Sequence, residues 1–169
     1  MWQRAFSSFT ATLLARDEQG HDHPATPEQI LTAARQVIDE MIPHGQVFAT
    51  ATQVKDYLRT TLAGLEHEVF AVIFLDVQMP LIEHVGMFRG TIHNATVHPR
   101  EILKAVMHHN TAAVILAHNH PSGSPEPRHA DQVVTERLKE VLVLVDVRVL
   151  HHMIVGGSRT TSFAARGLL

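Results

Sequence analysis

Residues 112–131 read AAVILAHNHPSGSPEPRHAD, and the organisation of the chain follows from them. Ala112 to Ala117 is an apolar run of strand length that ends in His118-Asn119-His120. A loop rich in Pro, Gly and Ser follows, and Asp131 arrives eleven positions after the second histidine. Successive side chains of a strand point to opposite faces, so His118 and His120 share a face if the extended backbone runs on past Ala117. Pro121, Pro125 and Pro127 forbid helix in the loop, while Gly123 permits a tight reversal that can carry Asp131 back to the mouth of the strand. Two imidazole nitrogens and one carboxylate oxygen leave a coordination position for water, the ligand economy of a catalytic rather than a structural zinc ion.

The chain holds 14 histidines, so an H-x-H pair alone carries little weight, and His21-Asp22-His23 is a second such pair. Position separates the two. His118 and His120 stand where a buried strand stops, which is where open α/β sheets bind their ligands. His21 and His23 fall in a polar segment that reads as having no strand before it.

The run His118-Asn119-His120-Pro121-Ser122-Gly123, with Pro125, Glu126, Pro127 and Asp131, resembles the JAMM (MPN/JAB) metal motif in the form carried by the RadC family. Further segments agree with that family: Glu68-Val69-Phe70, Phe88-Arg89-Gly90-Thr91, His98-Pro99-Arg100-Glu101-Ile102, Leu144 to Leu150, and Ser162-Phe163-Ala164 with Arg166-Gly167. The resemblance covers residues 44 to 167. It implies an MPN/JAB (cytidine-deaminase-like) architecture, Zn2+ on His118, His120 and Asp131, and Glu68 as the catalytic base. Two positions depart from the pattern: Arg128 stands where the family has serine, and His151 replaces the aspartate usual before His152.

Composition bounds the answer. At 169 residues, 45% hydrophobic and 18% charged, the chain makes one globular domain with a substantial core and an N-terminal extension. No apolar run approaches the ~18 residues of a membrane span. The formal charge of −3 supplies no field to draw nucleic acid, so no strong DNA binding is expected. Cysteine is absent, which excludes thiolate ligands, and any metal must be held by His and carboxylate. Ser7, Ser8, Thr10 and Thr12 interrupt the apolar core of a would-be signal peptide, so a cytoplasmic protein is expected.

Taken in order, Trp2, Phe6, Phe9 and Leu13 recur at helical spacing and predict a helix that docks on this domain or on a second copy, in a homodimer. Asp17 to Pro24 reads as a linker. Thr26-Pro27-Glu28-Gln29 is a capping box with proline at the first helical position, opening a helix to Met41 with Ile30, Leu31, Ala34, Val37, Ile38 and Met41 inward. Residues 1–43 thus form a helical extension ahead of a domain at 44–169. A second box, Thr50 to Gln53, opens a helix with Val54, Tyr57, Leu58, Leu62 and Leu65 on its inner side. VFAVIFLD reads as a central strand, LIEHVGMF as its partner and TIHNATVH as a third. Pro99 opens a helix with Ile102, Leu103 and Val106 inward, and Val133, Val134, Leu138, Val141 and Leu142 define another. VRVL and HMIV are the closing strands. The class is α/β, a mixed sheet between helices.

By position alone Glu68 reads as an exposed carboxylate at a strand start; the resemblance assigns it the proton of the water. Glu66 shares its phase, and Glu101 falls in a first helical turn, where a negative charge caps the helix. Ser122 is either a hydrogen-bond donor near the metal or a small turn residue. The resemblance makes Arg128 a replacement for the serine that steadies the oxyanion, so the arginine cripples that function, takes it over or points to solvent. His108-His109 and His151-His152 read as structural or solvated. Three functions compete: a zinc-dependent peptidase or isopeptidase acting on a peptide or protein, a metal-binding scaffold with impaired chemistry, and a DNA-repair-associated module.

Overall fold

The computed structural model describes residues 13–41, 47, 48, 50–90 and 96–169. In chain order these form a hairpin of β1 (Leu14–Arg16) and β2 (Asp22–Pro24), helices α1 (Pro27–Met41) and α2 (Ala51–Leu62), a second hairpin of β3 (Val69–Leu75) and β4 (Leu81–Arg89), α3 (Pro99–His108), β5 (Ala113–Asn119), α4 (His129–Val143), β6 (Arg148–Gly156), β7 (Arg159–Ser162) and a 3-10 turn at Ala164–Arg166.

The near-continuous apolar runs of β3 and β5 demand cover on both faces, and the sheet supplies it by placing them inside the order β4-β3-β5-β6-β7. Among the described strands only β5 and β6 are parallel, and α4 makes the crossover that a parallel pair requires. The period of two divides the core into two layers. Phe70, Val72 and Phe74 of β3, with Val114 and Leu116 of β5, pack against Ile102 and Val106 of α3 and Leu138 and Leu142 of α4. Ala71, Ile73 and Leu75, with Ile115 and Ala117, face Val54, Leu58 and Leu62 of α2. The mixed sheet between helices is the expected α/β class. The first capping box forms, Thr26 and Gln29 exchanging hydrogen bonds, and at the start of α2 Thr50 Oγ1 accepts from the Gln53 amide.

Along β5 and β6 the pairing is regular except at one point. Val114 pairs with Val149 while Ile115 pairs with His151, so Leu150 is an extra residue, a β-bulge. Val149 packs in the α4 layer, Leu150 in the α2 layer, and the side chains beyond resume alternation one step out of phase.

Several expectations are corrected. The supposed linker is the β1–β2 hairpin, so His21 and His23 do have a strand before them; its strands of three residues are too short to show periodicity. The helix drawn through Trp2, Phe6 and Phe9 lies outside the described residues, and so does the homodimer contact; Leu13, its last member, is not helical. In α1 the apolar face is not covered among the described residues: Ile30, Leu31 and Val37 are 37–49% exposed, while Ile38 and Met41 have side chains outside them. Of TIHNATVH, the first five residues lie outside the description and Thr96 to His98 are irregular, not strand. VRVL and HMIV are one strand, and the tail beyond Gly157 adds β7 at the sheet edge. Val133 is 53% exposed, and Asp131 and Thr135 take the inward positions of α4.

Candidate metal centre

Extended backbone does run past Ala117, to Asn119, and the phase that puts Leu116 in the α4 layer puts His118 there too. The antiparallel register pairs Phe70 with His118; carried two residues further, it sets Glu68 level with His120 and on the same face. The Asn119 side chain, on the opposite phase, ties the two strand ends together. It accepts from the Val69 amide at 2.8 Å and donates to the His67 carbonyl at 3.0 Å, holding the residue on each side of Glu68.

The loop returns as the sequence anticipates. Gly123, at φ +78°, closes a turn on the His120 carbonyl, and the chain then presses on β6. A Cβ at Gly156 would lie 2.5 Å from the Pro125 nitrogen and 2.6 Å from the Ser124 carbonyl carbon, so only glycine admits the loop there. Asp131 sits in the first turn of α4 and its Oδ2 accepts the Arg128 amide at 2.7 Å, a favourable charge at a helix N-terminus.

These elements bring three ligand atoms together. His118 Nε2 lies 3.0 Å from His120 Nε2 and 3.3 Å from Asp131 Oδ1, and His120 Nε2 lies 3.5 Å from Asp131 Oδ2. All three residues are buried. Ligand atoms around a tetrahedral zinc ion stand about 3.3 Å apart, which these separations bracket. His120 Nδ1 is 2.7 Å from the Ser124 carbonyl, which can only accept, so the proton is on Nδ1 and the inward Nε2 offers its lone pair. Burial acts to raise the Asp131 carboxyl, but the adjoining His118 and His120 imidazoles and the Arg128 amide outweigh it and hold the group well below the ordinary carboxylate range. An anion and an unprotonated imidazole nitrogen facing one another fit a cation. The cluster can hold a metal ion.

Glu68 is 5% exposed, not the solvated carboxylate that its position alone suggested. Arg128 Nη1 donates to Glu68 Oε2 at 3.0 Å, so the arginine points neither to solvent nor to a ligand but onto the carboxylate expected to act as base. Ser122 is exposed in its turn and has no hydrogen bond to the three ligands among the described residues; the loop residue touching the cluster is Ser124, through its carbonyl. Glu101 pairs with Lys104 at 2.9 Å, away from the cluster. His109 packs on Phe74 and lies 3.5 Å from Glu83.

Sequence reasoning passed over His152. It is fully buried, its Nε2 2.8 Å from His118 Nδ1 and its Nδ1 2.6 Å from Thr135 Oγ1. Burial pushes this imidazole well below its ordinary range, and the neighbouring His118 adds to the effect, so it is neutral. His151 points to the α2 side; burial, and then the charge of Lys55, lowers it as well.

A groove of about 330 Å³ opens over Glu68, His118 and Asp131, walled by Phe70, Val97, Val133 and Val134 and ending at Arg137. A larger cavity, about 420 Å³, lies on the opposite face of the sheet between α2, β3 and β4 and contains none of the expected site residues. The metal cluster and not cavity size identifies the site.

A mixed sheet between helices, with two histidines at the end of a central strand and an aspartate in the next helix, defines a domain of the JAB type with a cluster able to hold a metal. The chain belongs to the RadC-like JAB domain family, whose model matches residues 48–168. It is 51% identical over 145 residues to a UPF0758 protein of Vibrio cholerae serotype O1, covering 86% of this chain and 91% of that one. It is 48% identical over 142 residues to a UPF0758 protein of Nitrosospira multiformis, with 84% of this chain and 63% of the relative covered. With one of Ralstonia pickettii the identity is 46% over 165 residues, 98% of this chain and 70% of the other. The chain thus spans under two thirds of the Nitrosospira relative. Among the described residues no helix is long and apolar enough to cross a membrane.

Proposed function

We propose that this domain is a zinc-dependent metallohydrolase of the JAMM type, a peptidase or isopeptidase in which Glu68 is the general base. The observation that carries the reading is the inward convergence of His118, His120 and Asp131, with buried Glu68 on the same face and in the same groove. Zinc held by the three ligands would supply a Lewis acid that makes water a nucleophile at neutral pH and polarises the scissile carbonyl. Glu68 accepts the proton of the attacking water and delivers it to the leaving nitrogen. The apolar walls of the groove bind the acyl side chain and exclude bulk water, while Asn119 keeps the Glu68 backbone in register with His120. On this reading the partner is a peptide or protein; duplex and single-stranded DNA bind weakly and with strong salt dependence.

Elemental analysis with a peptide-library cleavage assay tests the proposal. About one zinc per chain is expected, with cleavage that Glu68→Gln abolishes while keeping the metal, because glutamine fills the same space and cannot take the proton. Wild type without zinc, or a Glu68→Gln variant with undiminished turnover, overturns it.

One contact favours a second reading, an impaired scaffold. Arg128 occupies an oxygen of the base at 3.0 Å, where the family pattern has a serine. A guanidinium is a permanent cation and its N–H fills the place on that oxygen that a water would take, so the site as built is slowed or arrested until Arg128 moves.

A further inference from the structure

Thr135 and His152, neither of them a ligand, form an unbroken buried line between two residues of the metal cluster. The line starts at the Asp131 backbone carbonyl, 2.5 Å from Thr135 Oγ1, passes to His152 Nδ1 at 2.6 Å, and runs from His152 Nε2 to His118 Nδ1 at 2.8 Å. Each contact has the length of a hydrogen bond and takes one proton, and the order of the protons follows from the first. A carbonyl oxygen can only accept, so the single hydroxyl proton of Thr135 is spent on Asp131. Thr135 Oγ1 must then accept from His152, which puts the His152 proton on Nδ1 and leaves Nε2 bare. His118 Nδ1 must in turn carry the proton of the last contact. What remains on His118, once a cation and not a proton bridges its 3.0 Å contact with His120 Nε2, is an unprotonated Nε2 facing His120 and Asp131. The reverse order would set two lone pairs against each other at the Thr135–Asp131 contact and leave His118 with an N–H aimed into the cluster, where no cation could bind.

The rings are held as firmly as the protons. His152 stacks on buried Phe163 at 4.6 Å and meets the edge of Phe70 at 5.6 Å, and Phe70 lies nearly parallel to His118. Thr135 and His152 are both wholly buried, so no water competes for their bonds.

We propose that His152 is a positioning residue of the metal centre: kept in its Nδ1–H form by Thr135, it takes the Nδ1 proton of His118 and so directs the His118 Nε2 lone pair at the metal. The inference rests on the assignment of His118, His120 and Asp131 as ligands. It adds that α4 and β6 set the donor state of a ligand on β5.

The test has two measurements. Nitrogen-15 spectra of the imidazoles in the zinc-loaded protein report which nitrogen carries the proton; His118 and His152 are both expected to carry it on Nδ1. Zinc and cobalt affinities, from competition with a chromophoric chelator, are then compared among variants whose folding is checked by circular dichroism. Thr135→Val keeps the shape and removes the hydroxyl, and His152→Phe removes the acceptor; both are expected to weaken metal binding about 10- to 100-fold. Thr135→Ser and His152→Gln, which restore the hydroxyl and an acceptor oxygen, are expected to recover most of the loss. A merely structural role would not follow that pattern of rescue. His152 protonated on Nε2 in the wild type, or unchanged affinity in Thr135→Val alongside a metal-binding wild type, overturns the positioning role alone. A wild type that binds neither metal overturns the proposed function and this role with it. Should His152→Phe not fold, Thr135→Val and the wild-type spectra decide the matter.

Discussion

Replacing Arg128 by serine should make the protein less stable and the site more active, and the structure fixes the size of the first effect. Two unit charges 3.0 Å apart attract by about 5.5 kcal/mol at an effective dielectric constant of about 20. The Glu68 side chain is 7% exposed but that of Arg128 is 36% exposed. Solvent screening at the open end and desolvation of the carboxylate reduce the net coupling to about 1–2 kcal/mol. A double-mutant cycle of Arg128→Ser and Glu68→Gln, read by urea unfolding of the metal-free proteins, isolates that coupling from whatever else each change does. Zinc content should be the same in Arg128→Ser as in wild type, since Arg128 is not a ligand. Hydrolysis should rise by about tenfold or more, the scale on which one donor or one freed base acts. A coupling below about 0.5 kcal/mol, the ordinary error of additivity, would mean that the contact does not hold Glu68. Equal turnover in wild type and Arg128→Ser, on a substrate that Glu68→Gln cannot cleave, would remove the arrested-site reading.

Changing His118 and His120 together to alanine should abolish zinc binding, and wild-type occupancy should fall on acidification because the ligands must be deprotonated to coordinate; undiminished zinc in the double variant refutes the ligand set. Gly156→Ala forces a Cβ onto the backbone of residues 123–125 and should cost about 1–3 kcal/mol while loosening the Ser124 carbonyl from His120, so an unchanged melting temperature with unchanged zinc affinity would show that the loop is not seated there. His152 has a folded pKa far below its unfolded value. Its contribution to stability is therefore complete above about pH 6.5 and lost as the pH falls below it, by up to about 1.4 kcal/mol per unit. In urea titrations of metal-free protein, His152→Gln should show a shallower loss on acidification than wild type, and identical slopes would refute the assignment.

The cluster of His118, His120 and Asp131 was legible because it depends on short-range rules: alternation along a strand fixes His118 and His120, and a loop of prolines with one glycine returns Asp131. The two core layers follow from the same alternation in VFAVIFL. Glu68 could be placed by phase but not by burial, since its partner Arg128 lies 60 residues on and Asn119, which clamps its neighbours, lies 51 residues on. His152 was missed for a comparable reason. Nothing near it in the sequence resembles a partner; Thr135 and His118 reach it only after α4 has crossed the sheet. The β1–β2 hairpin escaped because three-residue strands carry no period, and the exposed face of α1 because amphipathic spacing does not say what the apolar side meets.

The bulge at Leu150 makes β6 a place where the number of residues matters more than their identity. Counting by twos from Val149 lands on His151; the extra residue resets the count, and the imidazole that turns toward His118 is that of His152. Shortening the strand by one residue at Leu150 would return the ladder to strict alternation and leave His152 on the same side, at the cost only of the contacts Leu150 makes in the α2 layer. Pulling the bulge straight with all residues present would instead swing His152 to the far side and bring His151, now beside Lys55, into its place. A relative lacking one residue here would therefore keep the wiring of its metal centre, and an alignment gap at this point would be silent, whereas a gap of the same size between His118 and His120 would take the centre apart.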